Sequence, residues 1–182
     1  MRNKSVKNVK LQVPKLSDMA YRQKILAQPE TMGYNRGRDI EVESYHRDTG
    51  CIDFPREDWR YWRQMWLLNE PDFYSALIVD VDTGEFVGEA CYFYDGDAEM
   101  HVAGILIEGC HRGKGYCAAA LRALSDVAFK REEVAVLRCD IPESNIPAIA
   151  GYTRGGFKCF GQADGMCAMM IVREDYERQK NA

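Results

Sequence analysis

Three features are missing from this sequence of 182 residues. It has no apolar run long enough to cross a bilayer and no apolar leader behind its polar N-terminus, so we expect neither a membrane span nor a signal peptide. It has no Cys-x-x-Cys pair, because its seven cysteines are scattered singly. An odd number of dispersed cysteines favours reduced thiols and a cytoplasmic location, and it disfavours a structural zinc site.

Positive charge is not in excess either. The net charge of −4 gives no reason to expect nucleic acid or an anionic membrane as a partner. The composition is that of an ordinary folded protein, with 46% hydrophobic and 29% charged residues. The length suits one domain with a real core, and we expect residues 1–182 to form it.

A glycine-rich stretch, Glu108–Ala118, lies between an apolar run and a pattern of small residues. The run Gly104–Ile107 predicts a strand, and Ala118–Leu121 predicts a helix, so the turn between them opens a helix. The first amides of a helix have no intrahelical partner, and the helix dipole is positive there. Together with Arg112 and Lys114, this arrangement predicts a loop that binds a pyrophosphate.

Several ligands fit such a loop. A mononucleotide P-loop needs Ser or Thr after Lys114, where this chain has Gly115. The stretch Gly113–Ala118 fits the dinucleotide pattern Gly-x-Gly-x-x-Ala, and Asp140 ends a later apolar run, where a ribose-binding acid would lie. The pattern occurs too late for a full doubly wound sheet. An oxidoreductase that binds NAD(P) nevertheless stays an alternative.

The same loop resembles that of the GNAT acetyltransferase superfamily. Arg112–Cys117 matches Arg/Gln-x-x-Gly-x-Gly/Ala, with Cys117 where Gly or Ala is usual. A second block, Asn145–Phe157, resembles the family's Asn-x-x-Ala-x-x-x-Tyr-x-x-x-Gly-Phe helix, with Gly151 where an apolar residue is usual. The close resemblance covers about Glu85 to Phe157.

The order of the predicted elements gives an α+β fold with a mixed sheet. This agrees with the GNAT-like acyl-CoA N-acyltransferase fold that the resemblance implies, a mostly antiparallel central sheet flanked by helices. Strands are predicted at 6–13, 73–80, 85–94, 99–107, 134–139, 157–162 and 167–172. Helices are predicted at 19–28, from Pro55, at 116–130 and from Asn145, and the tail from Arg173 is predicted to be charged and exposed. We expect an acceptor side over about 1–72 and an acetyl-CoA-binding part over about 73–172.

The resemblance implies that the acetyl group of acetyl-CoA passes to a primary amine by direct attack in a ternary complex, without a metal. It also implies that backbone groups of one strand pair with the pantetheine arm and that the loop binds the pyrophosphate. The cofactor-binding residues that it assigns are Ile105, Leu106, Ile107, Arg112, Gly113, Lys114, Gly115, Tyr116, Cys117 and Asn145.

The chemistry needs an acid for the departing thiolate and a way to deprotonate the amine. Tyr152 is the candidate acid, because an ordinary tyrosine pKa near ~10 keeps its hydroxyl protonated. Candidate bases are Glu89 on one strand and Glu99 or His101 on the next, and water-mediated deprotonation without a dedicated base stays open. Cys117 and the nearby Cys110 lie near a helix N-terminus, which lowers a thiol pKa, so a covalent role is a minor alternative.

The acceptor is predicted from the N-terminal third. Residues 32–53 form a long irregular segment, and such segments are often functional. Acids in this segment and in the next helix favour a cationic acceptor such as a polyamine, an amino sugar, an amino acid derivative or a peptide N-terminus; they are Glu41, Glu43, Asp48, Asp53, Glu57 and Asp58. Trp59, Trp62 and Trp66 share one helix face, either as core or as pocket lining. A homodimer follows from the resemblance, and a non-catalytic acyl-CoA-binding regulatory module is the second alternative.

Overall fold

The structure is a computed structural model that describes residues 7–96 and 100–181. Val6 and Glu99, which the sequence places in strands, lie outside these ranges. The strands are β1 (Val9–Gln12), β2 (Phe73–Asp80), β3 (Phe86–Asp95), β4 (Met100–Ile107), β5 (Val136–Pro142), β6 (Lys158–Ala163) and β7 (Met166–Val172). The α-helices are α1 (Met19–Leu26), α2 (Pro29–Met32), α3 (Trp59–Leu67), α4 (Tyr116–Ala128), α5 (Ile146–Arg154) and α6 (Arg173–Lys180). No helix in the two described ranges is long and apolar enough to cross a membrane.

All of these strands belong to one sheet, in the order β1-β2-β3-β4-β5-β7-β6. Each neighbouring pair is antiparallel except β4 and β5, which run parallel. A parallel pair needs a long crossover connection, and α4 provides it. The sheet therefore confirms the predicted α+β fold, and it does not have the parallel, doubly wound form that a dinucleotide site requires.

The two parallel strands diverge soon after they meet. The β3–β4 ladder continues along the whole of β4, up to Ile107 opposite Gly88. In contrast, β4 pairs with β5 only at His101↔Leu137 and Val102↔Arg138. Beyond Val102 the edge of β4 that faces β5 has separated from its neighbour. The sheet therefore opens into a V between these strands.

Side chains of the central strands alternate between two faces, and each face has its own hydrophobic cluster. On one face Tyr92 and Ala103 pack with Leu121 beneath α4 and α5. On the other face Leu106 packs with Trp59 beneath α1 and α3. The strand β4 contributes to both clusters, so the V opens where the two halves of the protein meet.

One predicted helix has a different end, and one helix was not predicted. The helix predicted at 19–28 ends at Leu26 as α1, and Pro29 begins a separate turn, α2, because proline is well suited to a first helical position. The tail from Arg173 forms α6, whose Tyr176 packs on Phe129. Its acidic first turn and basic last turn suit the helix dipole. Few apolar residues mark this helix, so hydrophobic periodicity does not reveal it.

Candidate active site

A cleft of about 550 Å³ lies between the diverging end of β4, the start of α4 and the helix α5. Of the ten predicted cofactor-binding residues, nine line it: Ile105, Leu106, Ile107, Arg112, Gly113, Gly115, Tyr116, Cys117 and Asn145. Lys114 is exposed beside the cleft and does not line it. The candidate acid Tyr152 lines it as well. The fold therefore gathers residues from two distant sequence blocks around one space.

The loop before α4 depends on glycine for its backbone conformation. Gly113 has φ +72° and Gly115, the N-cap of α4, has φ +94°. A Cβ on Gly115 would meet only the Lys7 side chain, at 3.8 Å. Left-handed backbone, rather than lack of space, is thus the reason for glycine here.

The Arg112 side chain connects this loop to α2. Its Nε donates to the Ile107 carbonyl oxygen at 3.2 Å, and its Nη1 donates to that of Glu30 at 3.0 Å. Its Nη2 donates to the Thr31 carbonyl oxygen, and the Thr31 hydroxyl in turn accepts from the Gly109 amide at 2.9 Å. The guanidinium therefore has a structural role that the sequence did not reveal.

Tyr116 is buried, and its hydroxyl points to an ionic cluster around Asp80. The hydroxyl donates to the Asp80 carboxylate, which also lies 3.3 Å from Lys7 Nζ and accepts the Asp82 amide at 2.9 Å. These contacts, the Tyr116 hydrogen bond first, lower the pKa of Asp80 to about 2. Because the hydroxyl is bonded to Asp80, Tyr116 can contact a ligand in the cleft only through its backbone and ring.

Cys117 and Gly151, the two positions that depart from the family pattern, touch each other. A Cβ built on Gly151 would lie 2.8 Å from Cys117 Sγ. The thiol thus fills space that a side chain at 151 would need. Burial raises the pKa of the Cys117 thiol to about 11. The expectation that the helix N-terminus lowers this pKa was wrong, because loss of hydration outweighs the helix dipole.

Asn145 and Tyr152 belong to the second block, Asn145–Phe157, which contains α5. Asn145 caps α5, accepting the Ala148 amide on Oδ1 at 3.3 Å. Tyr152 is 4% exposed, and its hydroxyl donates to the Ala103 carbonyl oxygen at 3.2 Å. Burial raises the pKa of the Tyr152 hydroxyl well above its usual value, so the group carries its proton at neutral pH.

The two described base candidates lie on opposite faces of the sheet. His101 is buried beside Tyr92 on the face of α4, and it does not line the cleft. Burial lowers its pKa, and its Nε2 has no hydrogen-bond partner in the described part of the chain. Glu89 lies opposite Leu106 on the other face, with its Oε2 3.0 Å from Arg22 Nε. It does not line the cleft either.

Sequence reasoning missed several residues of the site. Tyr34, from the long irregular segment, lines the cleft, and burial raises the pKa of its hydroxyl. The length of the segment was a signal, but nothing marked this tyrosine. Six other residues also line the cleft: His111, Ala118, Pro147, Ala148, Gly151 and Arg154.

Glu108, at the end of β4, is a buried carboxylate with a full set of partners. It accepts Tyr21 Oη at 3.0 Å and Gln28 Nε2 at 2.9 Å, and it lies 2.7 Å from Lys24 Nζ. A carboxylate oxygen of Glu108, the Cys110 Sγ and a ring nitrogen of His111 also lie within 4.8 Å of one another. These three side chains could hold a metal ion. Because the carboxylate is already satisfied, we assign Glu108 to the packing of α1 against the loop.

The tryptophans of α3 mostly pack. Trp59 is buried, and Trp66 stacks on Trp62 at 5.9 Å between ring centroids. The Arg22 guanidinium lies over the rings of Trp62 and Phe54, at 4.3 and 4.5 Å. This cation–π stacking holds the arginine that contacts Glu89.

Three backbone features enclose the cleft. A diverging strand pair, a left-handed glycine loop and a capped helix surround a space of the size of a cofactor site. The family model described as the acetyltransferase (GNAT) family matches residues 36–157, more than half of the chain, so the chain belongs to this family. It is an acetyl-CoA-dependent N-acetyltransferase, with acetyl-CoA as its cosubstrate.

Solved structures share this fold. The aminoglycoside acetyltransferase AAC(6')-Ib in complex with coenzyme A and kanamycin is 21% identical, with a TM-score of 0.67 over 95% of this chain and 99% of that one. The spermidine N-acetyltransferase from Vibrio cholerae with CoA and spermine is 13% identical, with a TM-score of 0.69 over 93% and 98%. A GNAT-family acetyltransferase from Bacillus anthracis is 13% identical, with a TM-score of 0.68 over 93% and 98%. None of the curated protein sequences compared with the chain matches it.

Proposed function

We propose that this enzyme acetylates a primary amine of a small cationic acceptor, by direct attack on acetyl-CoA in a ternary complex. One observation carries the proposal: the free edge of β4, the glycine loop and Tyr152 meet in a single cleft. Structures of the same fold hold the aminoglycoside kanamycin or the polyamine spermine, and each of these ligands carries several amines, which favours a cationic amine as acceptor.

The cofactor would lie along the V. Backbone groups of Ile105–Ile107 are not paired with β5, so an extended arm with amide groups can add to this edge like a further strand. The start of α4 and the left-handed glycines would receive the pyrophosphate. The part from about residue 73 to 172 is thus the acetyl-CoA side, and the part up to about residue 72 is the acceptor side.

Tyr152 would protonate the departing thiolate. Its raised pKa keeps the proton on the hydroxyl until the leaving group develops charge. The hydroxyl donates to the Ala103 carbonyl oxygen in this structure. Rotation about the Cζ–Oη bond would turn its hydrogen toward the thioester sulfur of a bound cofactor. The carbonyl therefore positions the acid before substrate arrives.

Glu89 suits deprotonation of the amine better than His101 does. It lies on the acceptor face, opposite Leu106, which lines the cleft. Because Glu89 does not line the cleft and contacts Arg22, we propose that a water molecule carries the proton to it. His101 is assigned to packing within the core.

The acid is tested by Tyr152→Phe, with Tyr61→Phe as the matched control, since Tyr61 is 70% exposed outside the cleft. CoA release is measured with polyamines and aminoglycosides as acceptors. We expect Tyr152→Phe to lower kcat about 10²-fold or more while binding of acetyl-CoA, followed by thermal shift, persists. Equal rates for the two variants would remove Tyr152 from the mechanism.

A protein that binds acetyl-CoA but releases no CoA with any amine in the panel would instead support the regulatory-module alternative. The thermal shift therefore separates failure of catalysis from failure of cofactor binding. NAD and NADP serve as further ligands, and we expect no shift with either.

The acidic segment is tested separately. Glu41, Glu43 and Asp48 are exposed on the acceptor side. If they attract a cationic acceptor, the triple change to Gln, Gln and Asn raises the acceptor KM several-fold at low salt and less at high salt, because salt screens exposed charges. The KM of acetyl-CoA is the internal control. An unchanged acceptor KM at low salt would exclude the segment from acceptor binding.

A further inference from the structure

A group of sulfur atoms lies in the β6–β7 hairpin, away from the cleft. Cys159 is exposed on the edge strand β6, and Cys167 is 2% exposed on β7. Their Sγ atoms are 2.8 Å apart, and Met169 Sδ lies 3.5 Å from Cys167 Sγ. Non-bonded carbon atoms pack at about 3.5–4.0 Å, and sulfur is larger, so the two thiols are in unusually close contact.

An irregularity in the ladder brings the thiols together. Cys159 pairs with Met169 and Gln162 pairs with Cys167, which makes the two cysteines diagonal neighbours. The backbones of diagonal neighbours in a regular ladder are about 7–8 Å apart, and their Cβ atoms are somewhat closer. The register shift between Cys159 and Gly161 bends β6 at this point, and bulges of this kind re-aim a side chain.

We propose that Cys159 and Cys167 are a site of oxidative modification, and that a hydroperoxide converts them into an intramolecular disulfide. The inference is independent of the proposed acetyl transfer, since neither residue lines the cleft.

The reaction has two steps. The Cys159 sulfur attacks the hydroperoxide; an S–O bond forms, the O–O bond breaks, and Cys159 becomes a sulfenic acid as the alcohol leaves, or water in the case of hydrogen peroxide. The Cys167 sulfur then attacks Cys159; the S–S bond forms, the S–O bond breaks, and water leaves with the thiol proton. Two electrons pass from the thiols to the peroxide.

The surroundings assign the roles of the two thiols. Cys159 is open to solvent, so the oxidant reaches it first. Cys167 donates its S–H to Cys159 Sγ, and this hydrogen bond, together with burial, raises the pKa of Cys167 to about 11. Cys167 therefore keeps its proton until the sulfenic acid forms beside it.

The test is mass spectrometry of the whole chain after brief hydrogen peroxide treatment, with the remaining thiols alkylated in denaturant. We expect five alkylated thiols instead of the seven in the sequence, and a mass lower by about 2 Da for the two lost hydrogens before alkylation. Cleavage before Asp164 cuts between the cysteines, so the two fragments stay linked until a dithiol reduces them.

Variants assign the bond. Cys159→Ser, an exposed change, and Cys167→Ser should each abolish the linked fragments. Cys110→Ser, which removes another exposed thiol, should retain them. Fragments that separate without reductant in the oxidised wild type would overturn the proposal. So would a linked pair that persists in Cys159→Ser, or a Cys159 that gains oxygen atoms while Cys167 alkylates normally.

Discussion

Cys117 and Gly151 illustrate how two unusual residues compensate for each other. Each departs from the family pattern, and from the sequence each could be taken for an independent defect in the cofactor site. In the structure the thiol at 117 lies where a side chain at 151 would be. Protein interiors are close-packed, so a larger residue at one position requires a smaller one at the other.

A double-mutant cycle at these positions tests the pairing. In the wild type we expect Gly151→Ala to destabilise the protein by about 1–2 kcal/mol, because overpacking outweighs the gain in helix propensity. In a Cys117→Ala background the same change should stabilise by about 0.5–1 kcal/mol, since the clash is gone. Urea unfolding measures both. An effect of Gly151→Ala that is identical in the two backgrounds would contradict the contact.

At the level of elements, the loop before α4 is held by α2 as well as by its own strand and helix. Arg112 donates to carbonyls at the end of β4 and in α2. The sequence predicts that Arg112 contributes positive charge to a pyrophosphate-binding loop, and any cation could do this. The structure gives it a fork-shaped set of donors, and lysine cannot reproduce that geometry.

Substitution of Arg112 by Lys therefore distinguishes charge from geometry. We expect Arg112→Lys to lose about 1.5–3 kcal/mol of stability, nearly as much as Arg112→Ala, and to weaken acetyl-CoA binding in parallel. Lys114→Ala, at an exposed position, should change stability by less than about 0.5 kcal/mol. Thermal and urea unfolding with and without acetyl-CoA provide the readout. Full recovery in Arg112→Lys would show that charge alone matters.

At the scale of the whole molecule, Asp80 joins three parts of the chain. Its carboxylate accepts from Tyr116 at the start of α4, from the β2–β3 turn, and from Lys7 before β1. It is 1% exposed. The start of α4 is thus anchored to the end of β2, and the stability of this anchor depends on ionisation of one carboxylate.

The pH dependence of stability follows from that ionisation. The folded pKa of Asp80, about 2, lies below the ordinary aspartate value of about 3.9. Its contribution is therefore complete above about pH 4 and is lost as the pH falls toward 2. We expect Asp80→Asn to be less stable than wild type at pH 7, with a difference that shrinks between pH 4 and pH 2. Asp82→Asn, at an exposed position, is the control, and a difference independent of pH would refute the assignment.

Local features of this protein follow from its amino-acid sequence. Glycines at 113 and 115 are required wherever the backbone is left-handed, and strand and helix periods follow from which side chains must be buried. These short-range rules placed the loop and most of the strands, and the resemblance of the Asn145–Phe157 block gave Tyr152 as the candidate acid. Two motifs, Arg112–Cys117 and Asn145–Phe157, also indicated the family whose model matches residues 36–157.

Features that depend on contacts between distant residues emerge only in the folded chain. The divergence of β4 from β5, the opposite faces of Glu89 and His101, and the meeting of Cys117 with Gly151 are all of this kind. Each arises from packing between segments far apart in the chain, and packing depends on shape and burial in three dimensions. Burial also reversed the expected pKa shift of Cys117, because hydration of a thiolate is lost only when distant elements close over it.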